Sequence, residues 1–273
     1  MSNENHHDPV TALSEEDATG RTAEIFAEIR EVMQIPLVTS IWRTLAAVDG
    51  GLETAWPPTR PLYESGQPQA VLEKLKAEAN FPVPKPRSIE QLEQAGFKGR
   101  DRLSILSILN AYNRSNGLNL IALTALIANS DGSGASYAQP PSPAPWPALP
   151  PLLPKDNINA VNWELLERIK HIGASFDNPS MPTLWRHLIH WPDLLELILE
   201  SYLPLHQDGT INRDIEELRK FAESEAPALS CFKSSTENIP REAFEMICGY
   251  VGKPPSVTRM VTVGHGVARW LEG

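Results

Sequence analysis

The sequence contains one stretch twice: Pro36-Leu-Val-Thr-Ser-Ile-Trp-Arg-Thr-Leu45 returns 143 positions later as Pro179-Ser-Met-Pro-Thr-Leu-Trp-Arg-His-Leu188. Aligned without a gap, the two 27-residue blocks that begin at these prolines share identities at Pro36/Pro179, Trp42/Trp185, Arg43/Arg186, Leu45/Leu188, Leu52/Leu195, Glu53/Glu196, Pro61/Pro204 and Leu62/Leu205. Average residue usage would give roughly one or two matches by chance. The pattern therefore predicts an internal duplication.

Helical periodicity surrounds both blocks, and no strand-like alternation is visible in the sequence. At 273 residues the chain is longer than a usual single core, so two core-bearing halves are expected. The sequence therefore predicts an all-α fold of two tandem helical repeats that form a pseudo-dimer. We expect a flexible tail at 1–13, a first repeat at 14–137, a linker at 138–154 and a second repeat at 155–273.

The predicted linker is rich in proline. Residues 138–154 hold eight of the 25 prolines. In a polyproline II conformation they would reach about 50 Å at ~3.1 Å per residue, enough to cross one compact half. Because structured repeats adjoin both ends, the segment is interpreted as a strap between the halves.

Composition excludes several classes of function. A net charge of −10 argues against binding of a phosphate backbone, so no nucleic-acid partner is expected. No apolar run is long enough for a membrane span, and the polar start has no signal core, so a cytoplasmic protein is expected. Cys231 and Cys248 fit two free thiols in that compartment, although one disulfide is also compatible.

The longest helical pattern, residues 101–129, carries an unusual number of asparagines, namely Asn110, Asn113, Asn116 and Asn119. Side chains three positions apart stay on one side of a helix for two or three turns. This row could be a polar outer face, or it could line a site.

Together with the repeat, this helix carries a family resemblance. The residues concerned are Ile35-Pro36, Arg43, Leu45-Ala46, Leu52 to Trp56, Asn113, Asn116, Leu120, Thr124 to Leu126, Leu188 and Trp191-Pro192. From about residue 14 to 270 the chain resembles the group I 2-haloacid dehalogenases, which act on D- or on both D- and L-2-halocarboxylic acids. The resemblance implies an active site between two helical halves, where an aspartate activates the water that displaces halide directly. No cofactor or metal is implied, the expected partner is a small carboxylate, and a homodimer is possible.

Transferred position by position, the family's pocket matches unevenly. Its asparagine falls on Asn116, a tyrosine falls on Asn119, and two aromatic residues fall on Leu37 and Ser40. The serine before the catalytic aspartate falls on Thr183, and the aspartate itself falls on Leu184. The resemblance thus predicts a substrate site at Leu37, Ser40, Asn116, Asn119, Thr183 and Leu184.

Leu184 cannot accept a proton, whereas a positioned base contributes about 10²–10⁴ in rate. Asp177, seven residues earlier, is the candidate substitute base, although Asp-Asn-Pro is also an ordinary turn sequence. Three hypotheses follow: a hydrolase of carbon–halide bonds with an unusual base, a non-catalytic protein that binds a small acid, and an all-α scaffold for a protein partner.

Two other groups have both a functional and a structural interpretation. His187, His190 and Asp193 have a spacing that could suit a metal, but further ligands are missing and surface or interface histidines are favoured. Arg43 and Arg186 could clamp a carboxylate, or each could stack on a neighbour or hold a helix end. The structural role is favoured for both groups.

Overall fold

A computed structural model describes residues 12–254 and 256–273 of the chain. Positions 1–11 of the predicted tail lie outside the described residues. The described part is all-α, and its helices are α1 (Gly20–Met33), α2 (Ser40–Leu45), α3 (Gly51–Glu64), α4 (Gln67–Glu78), α5 (Ile89–Gln94), α6 (Gly99–Ile127), α7 (Ala160–Ile169), α8 (Thr183–Leu188), α9 (Pro192–Gln207), α10 (Thr210–Leu229), α11 (Arg241–Val251) and α12 (Val257–Glu272). None of these helices is both long and apolar enough to cross a bilayer.

Two helices of the first half have counterparts in the second half that begin at the same spacing as the repeated stretch. The starts of α2 and α8 are 143 positions apart, and so are the starts of α4 and α10. Gly66 and Gly209 precede α4 and α10 with φ of +71° and +78°. A left-handed backbone conformation favours glycine, since a Cβ atom would add strain. The common origin of the two halves remains a prediction, which these matched helix starts support.

The first helix begins later than the sequence pattern suggests. The stretch Ser14-Glu-Glu-Asp17 is typical of a helix start, with a serine N-cap followed by carboxylates, but α1 begins at Gly20. The Ser14 hydroxyl accepts a hydrogen bond from the Asp17 amide within a turn. This local side-chain bond satisfies the backbone in place of a helical bond.

Two apolar cores fill the described part of the molecule, one around Trp42 and the other around Trp185. Neither core belongs to one half of the chain alone. Residues 118–126 of α6 pack in the first core, and residues 105–112 of the same helix pack in the second. Helices α10 and α12 also contribute to both cores. The 29-residue α6 therefore contributes residues to both cores and passes the space between them.

Helix α12 carries a histidine that should make the protein sensitive to acid. The His265 ring packs 4.9 Å from the Phe81 ring, and its buried Nε2 has no hydrogen-bond partner among the described residues. Burial, aided by the positive charges of Lys76 and Arg269, lowers the pKa of His265 from 6.5 to about 3. As pH falls, the unfolded chain therefore takes up this proton before the folded protein does. The stabilising contribution of neutral His265 is complete above pH 6.5 and decreases as pH falls toward 3.

We expect the free energy of unfolding to fall by about 2 kcal/mol more in the wild type than in His265→Gln between pH 7 and pH 5. Urea unfolding of both proteins at a series of pH values measures this difference, because carboxylates that titrate in the same range are common to both. Parallel curves would contradict the proton-linked role of His265.

Candidate ligand-binding site

A small inner cavity of about 40 Å³ lies where α2, α6, α8 and α12 approach one another. Its wall is formed by Thr39, Ser40, Tyr112, Asn116, Ser180, Pro182, Thr183, Leu184, Tyr250, Ser256, Val257, Arg259 and Met260. Both repeated stretches contribute, because Ser40 and Thr183 begin α2 and α8. A cavity of this size holds water or a small polar group.

Arg259 places a positive charge in the wall of the inner cavity. The residue is only 3% exposed, and its Nη1 donates to the Lys170 carbonyl oxygen at 2.8 Å. Its Nε is buried and finds no acceptor within the described residues, and none of their carboxylates lies within ion-pair distance. Burial lowers the pKa of Arg259 to about 10, so the side chain stays protonated at neutral pH. The cavity wall thus contains a charge that the described part of the chain does not neutralise.

Arg43 adds a second buried positive charge nearby. It is 4% exposed, and its Nε and Nη2 have no hydrogen-bond partner among the described residues. Burial lowers its pKa, while Tyr112 and Glu15 are the groups that act on it electrostatically in the opposite direction. Tyr112 lines the inner cavity, so the positive potential of Arg43 extends toward it.

Neutral hydrogen-bonding groups complete the inner wall. The Thr183 hydroxyl is buried and has no partner in the described structure. The Asn116 Oδ1 accepts a hydrogen bond from the Tyr250 hydroxyl at 3.4 Å, which leaves the amide nitrogen without a bond to the described residues. Two neutral donors and a guanidinium therefore share one small cavity, an arrangement that suits an anion.

Tyr112 connects the inner cavity to the proline-rich segment. The His187 Nε2 lies 2.7 Å from the carbonyl oxygen of Pro150, which can only accept, so this nitrogen carries the proton. The Tyr112 hydroxyl then donates to His187 Nδ1 at 3.3 Å. Burial is the main cause that lowers the pKa of His187, which keeps the ring neutral.

The histidines and Arg186 of this region contact the proline-rich segment. His190 Nε2 is 2.9 Å from the Pro151 carbonyl oxygen, and Arg186 donates to the Leu153 carbonyl oxygen at 2.9 Å. No cluster of potential metal ligands occurs in the part of the chain that the structure describes. These contacts fit the structural interpretation of His187, His190 and Arg186.

An outer pocket of about 310 Å³ adjoins the inner cavity. Four residues line both spaces, namely Ser40, Ser180, Tyr250 and Ser256. The rest of the outer wall is mainly apolar and comes from Ile41, Thr44, Phe176, Asn178, Glu245, Met246, Gly249 and Pro254. The two spaces therefore form one site with a polar inner end and an apolar outer part.

The structure brings four of the predicted site residues together and separates three. Ser40, Asn116, Thr183 and Leu184 all line the inner cavity. Leu37 is not part of this wall and packs instead in the second core. Leu184 is 1% exposed and presents an apolar side chain where the family resemblance implies a carboxylate.

Asn119 is also outside the cavity wall, because other buried groups occupy both ends of its amide. Its Oδ1 accepts from Trp42 Nε1 at 3.2 Å and from the Tyr63 hydroxyl at 2.9 Å, and its Nδ2 donates to Thr39 Oγ1 at 2.7 Å. The residue has no exposed surface. This geometry gives Asn119 a structural role beside the site.

Asp177 is exposed and lines neither space. Its neighbours Phe176 and Asn178 do line the outer pocket, so the carboxylate belongs to a segment at the rim. Its role as a base remains a prediction.

Sequence reasoning missed Arg259, although a signal was present. Between Val257 and Val267 the helix is largely apolar, and Arg259 is its one residue with a permanent charge. A lone arginine in an apolar helix needs a partner or a ligand, since burial of an isolated charge is unfavourable. No comparable feature of the sequence marks Tyr112 or Tyr250 as residues of the site.

Comparison with known proteins bears on the fold. The sequence matches no protein-family model and no curated protein. Similar solved structures include a D-2-haloacid dehalogenase mutant (TM-score 0.64, 14% identity, 95% of this chain and 92% of that chain), a mutant in complex with D-2-CPA (0.62, 17%, 96% and 91%) and a complex with L-LA (0.63, 14%, 95% and 93%). At these identities the likeness concerns the backbone and not the chemistry. The chain has the all-helical fold of the D-2-haloacid dehalogenases.

Proposed function

We propose that this protein binds a small carboxylate in the inner cavity and does not hydrolyse it. The observation that carries the proposal is Arg259, a buried cation that no described carboxylate neutralises. An uncompensated buried charge is unfavourable, and a bound anion would remove much of that cost.

In the proposed complex the carboxylate accepts hydrogen bonds from the guanidinium of Arg259. Hydrogen bonds between charged groups are about twice as strong as neutral ones. Thr183 and Asn116 would donate the remaining bonds, since both reach the cavity with unused hydrogen-bonding capacity. Arg43 would raise the local concentration of anions without direct contact.

The same wall lacks the group that hydrolysis needs. Among the described residues that line the inner cavity, none has a carboxylate or an imidazole. Direct attack by water on a 2-halo acid requires a base beside that water. With Leu184 in the wall, the cavity can hold the acid but has no group to take the proton.

Hydrolysis of a 2-halo acid is the second candidate. It is favoured by the likeness to D-2-haloacid dehalogenases and by the position of Asp177 at the rim of the outer pocket. A movement of this segment toward the cavity would be necessary to bring the carboxylate to a water.

Two measurements test the proposal: the first tests binding of the acid, and the second separates binding from hydrolysis. The first is the melting temperature with acetate or propionate, with acetamide or propionamide as neutral controls. At a concentration of 100 times Kd, we expect a stabilisation of about 2.7 kcal/mol. The melting temperature should therefore rise by about 5–10 °C with the acids and should not rise with the amides.

The second is halide release from racemic 2-chloropropionate by the wild type and by Asp177→Asn. We expect no release from either protein. Release by the wild type that Asp177→Asn abolishes would establish the hydrolytic candidate instead. Equal shifts with acids and amides, or no shift at all, would contradict anion binding by Arg259.

A further inference from the structure

We infer that the acid bound by this protein carries an apolar tail, so that its carboxylate occupies the inner cavity and its tail occupies the outer pocket. This inference rests on the proposed function and specifies its ligand class. The candidate ligands are straight or branched monocarboxylic acids longer than the three-carbon halo acids.

The sizes of the two spaces support this assignment. The inner cavity, at about 40 Å³, has room for a few water-sized groups at roughly 10–15 Å³ each, so it suits a carboxylate group with at most a short chain. The outer pocket, at about 310 Å³, lies at the lower end of the range of roughly 300–1,000 Å³ seen for ligand pockets. Ser40, Ser180, Tyr250 and Ser256 line both spaces, so one ligand can extend from the first into the second.

The chemistry of the walls sets the direction of the ligand. Arg259 and Thr183 attract an anion at the inner end. At the outer end Ile41, Phe176 and Met246 form an apolar wall, which favours a hydrocarbon. Among the described residues of the outer wall, Glu245 is the one that carries a charge, and its carboxylate accepts a hydrogen bond from Arg241 Nε at 2.7 Å. A second carboxylate would be repelled there, so the head group belongs inside.

Substitution of Gly249 in α11 would reduce the free volume of the outer pocket without adding atoms to the inner cavity. Gly249 lines the outer pocket, and a Cβ atom built on it meets no atom within 4 Å. It lies one helical turn after Glu245 and Met246, and helical side chains lean toward the N-terminus, so a new side chain would extend beside these residues. Replacement of a helical glycine also favours the helix, so the variants should fold.

The test is a titration of acetate, propionate, butyrate, pentanoate and hexanoate into the full-length wild type, Gly249→Ala and Gly249→Leu. We expect the affinity to rise about fourfold for each added methylene in the wild type, from ~0.8 kcal/mol per buried methylene. Gly249→Ala adds one methyl group to the outer pocket and should reduce this rise slightly. Gly249→Leu should reduce the rise from acetate to hexanoate much more strongly, whereas acetate, which is bound at the inner cavity, should be the acid least affected.

This titration distinguishes a failure of the inference about the apolar tail from a failure of the proposed function. Acetate binding with equal affinities along the series would overturn the inference and leave the proposed function in place. Absence of binding by every acid would overturn the proposed function itself. A series that rises equally in Gly249→Leu would place the tail outside the outer pocket and would also overturn the inference.

Discussion

Arg259→Gln should weaken acetate binding by about 10- to 100-fold, because a hydrogen bond to a charged group contributes about 1.5–3 kcal/mol. The guanidinium is the charged group of the inner wall, and glutamine leaves only a neutral donor. Isothermal titration of wild type and variant with acetate measures the loss. Arg259→Lys keeps the charge but not the planar fork of donors, so its affinity should lie between the two.

The unliganded Arg259→Gln protein provides the control for a merely structural role. The described structure gives Arg259 a single hydrogen bond, to the Lys170 carbonyl oxygen, against the cost of a buried charge. We therefore expect a melting temperature close to that of the wild type or above it. A variant that melts far lower and still binds acetate normally would show that Arg259 supports the fold and not the site.

Asn119→Ala should lower the free energy of unfolding by about 3–5 kcal/mol. The substitution leaves Trp42 Nε1 and the Tyr63 hydroxyl buried without their acceptor, and each orphaned group costs about 1–3 kcal/mol. Loss of the donor to Thr39 and the small void that remains add to the cost. Thermal unfolding should show a midpoint lower by about 10 °C, at roughly 2–4 °C per kcal/mol.

Asn116→Ala is the matched control, one helical turn earlier on α6. In the described structure the Asn116 side chain accepts one long hydrogen bond, at 3.4 Å from the Tyr250 hydroxyl, so its loss should cost about 1 kcal/mol or less. It should instead weaken acetate binding, because Asn116 lines the cavity. If both alanine variants lost the same stability and the same affinity, the separate roles assigned to the two asparagines would be wrong.

The asparagine row shows how far a helical pattern can be interpreted. Spacing by three predicts that the row stays on one side of α6, but it does not say what that side faces. In the structure Asn110 is exposed, whereas Asn113, Asn116 and Asn119 are buried, so the polar outer face holds for the first alone. The partners of the buried three are 56–151 positions away in the chain. Such contacts leave no trace in local periodicity.

Leu184 and Asp177 show the corresponding limit for a family resemblance. The resemblance predicted that Leu184 lies at the site, and Leu184 does line the inner cavity. It could not indicate which residue would take over the chemistry, because a resemblance transfers positions and not the groups that replace them. Asp177 is close to Leu184 in sequence, yet its exposed side chain lines neither the inner cavity nor the outer pocket.

The sequence by itself predicted the all-α class and the long α6 helix, and it placed Ser40 and Thr183 at equivalent positions of the repeated stretch, because apolar periodicity, proline and glycine act on the local backbone. Only the tertiary structure decided that Arg259 belongs to the site and that Asn119 does not. The physical reason is that a side chain becomes a ligand-binding group when its hydrogen-bonding capacity is left unused. Whether it is used depends on neighbours that only folding brings near: Trp42, Tyr63 and Thr39 occupy Asn119, while no described carboxylate reaches Arg259.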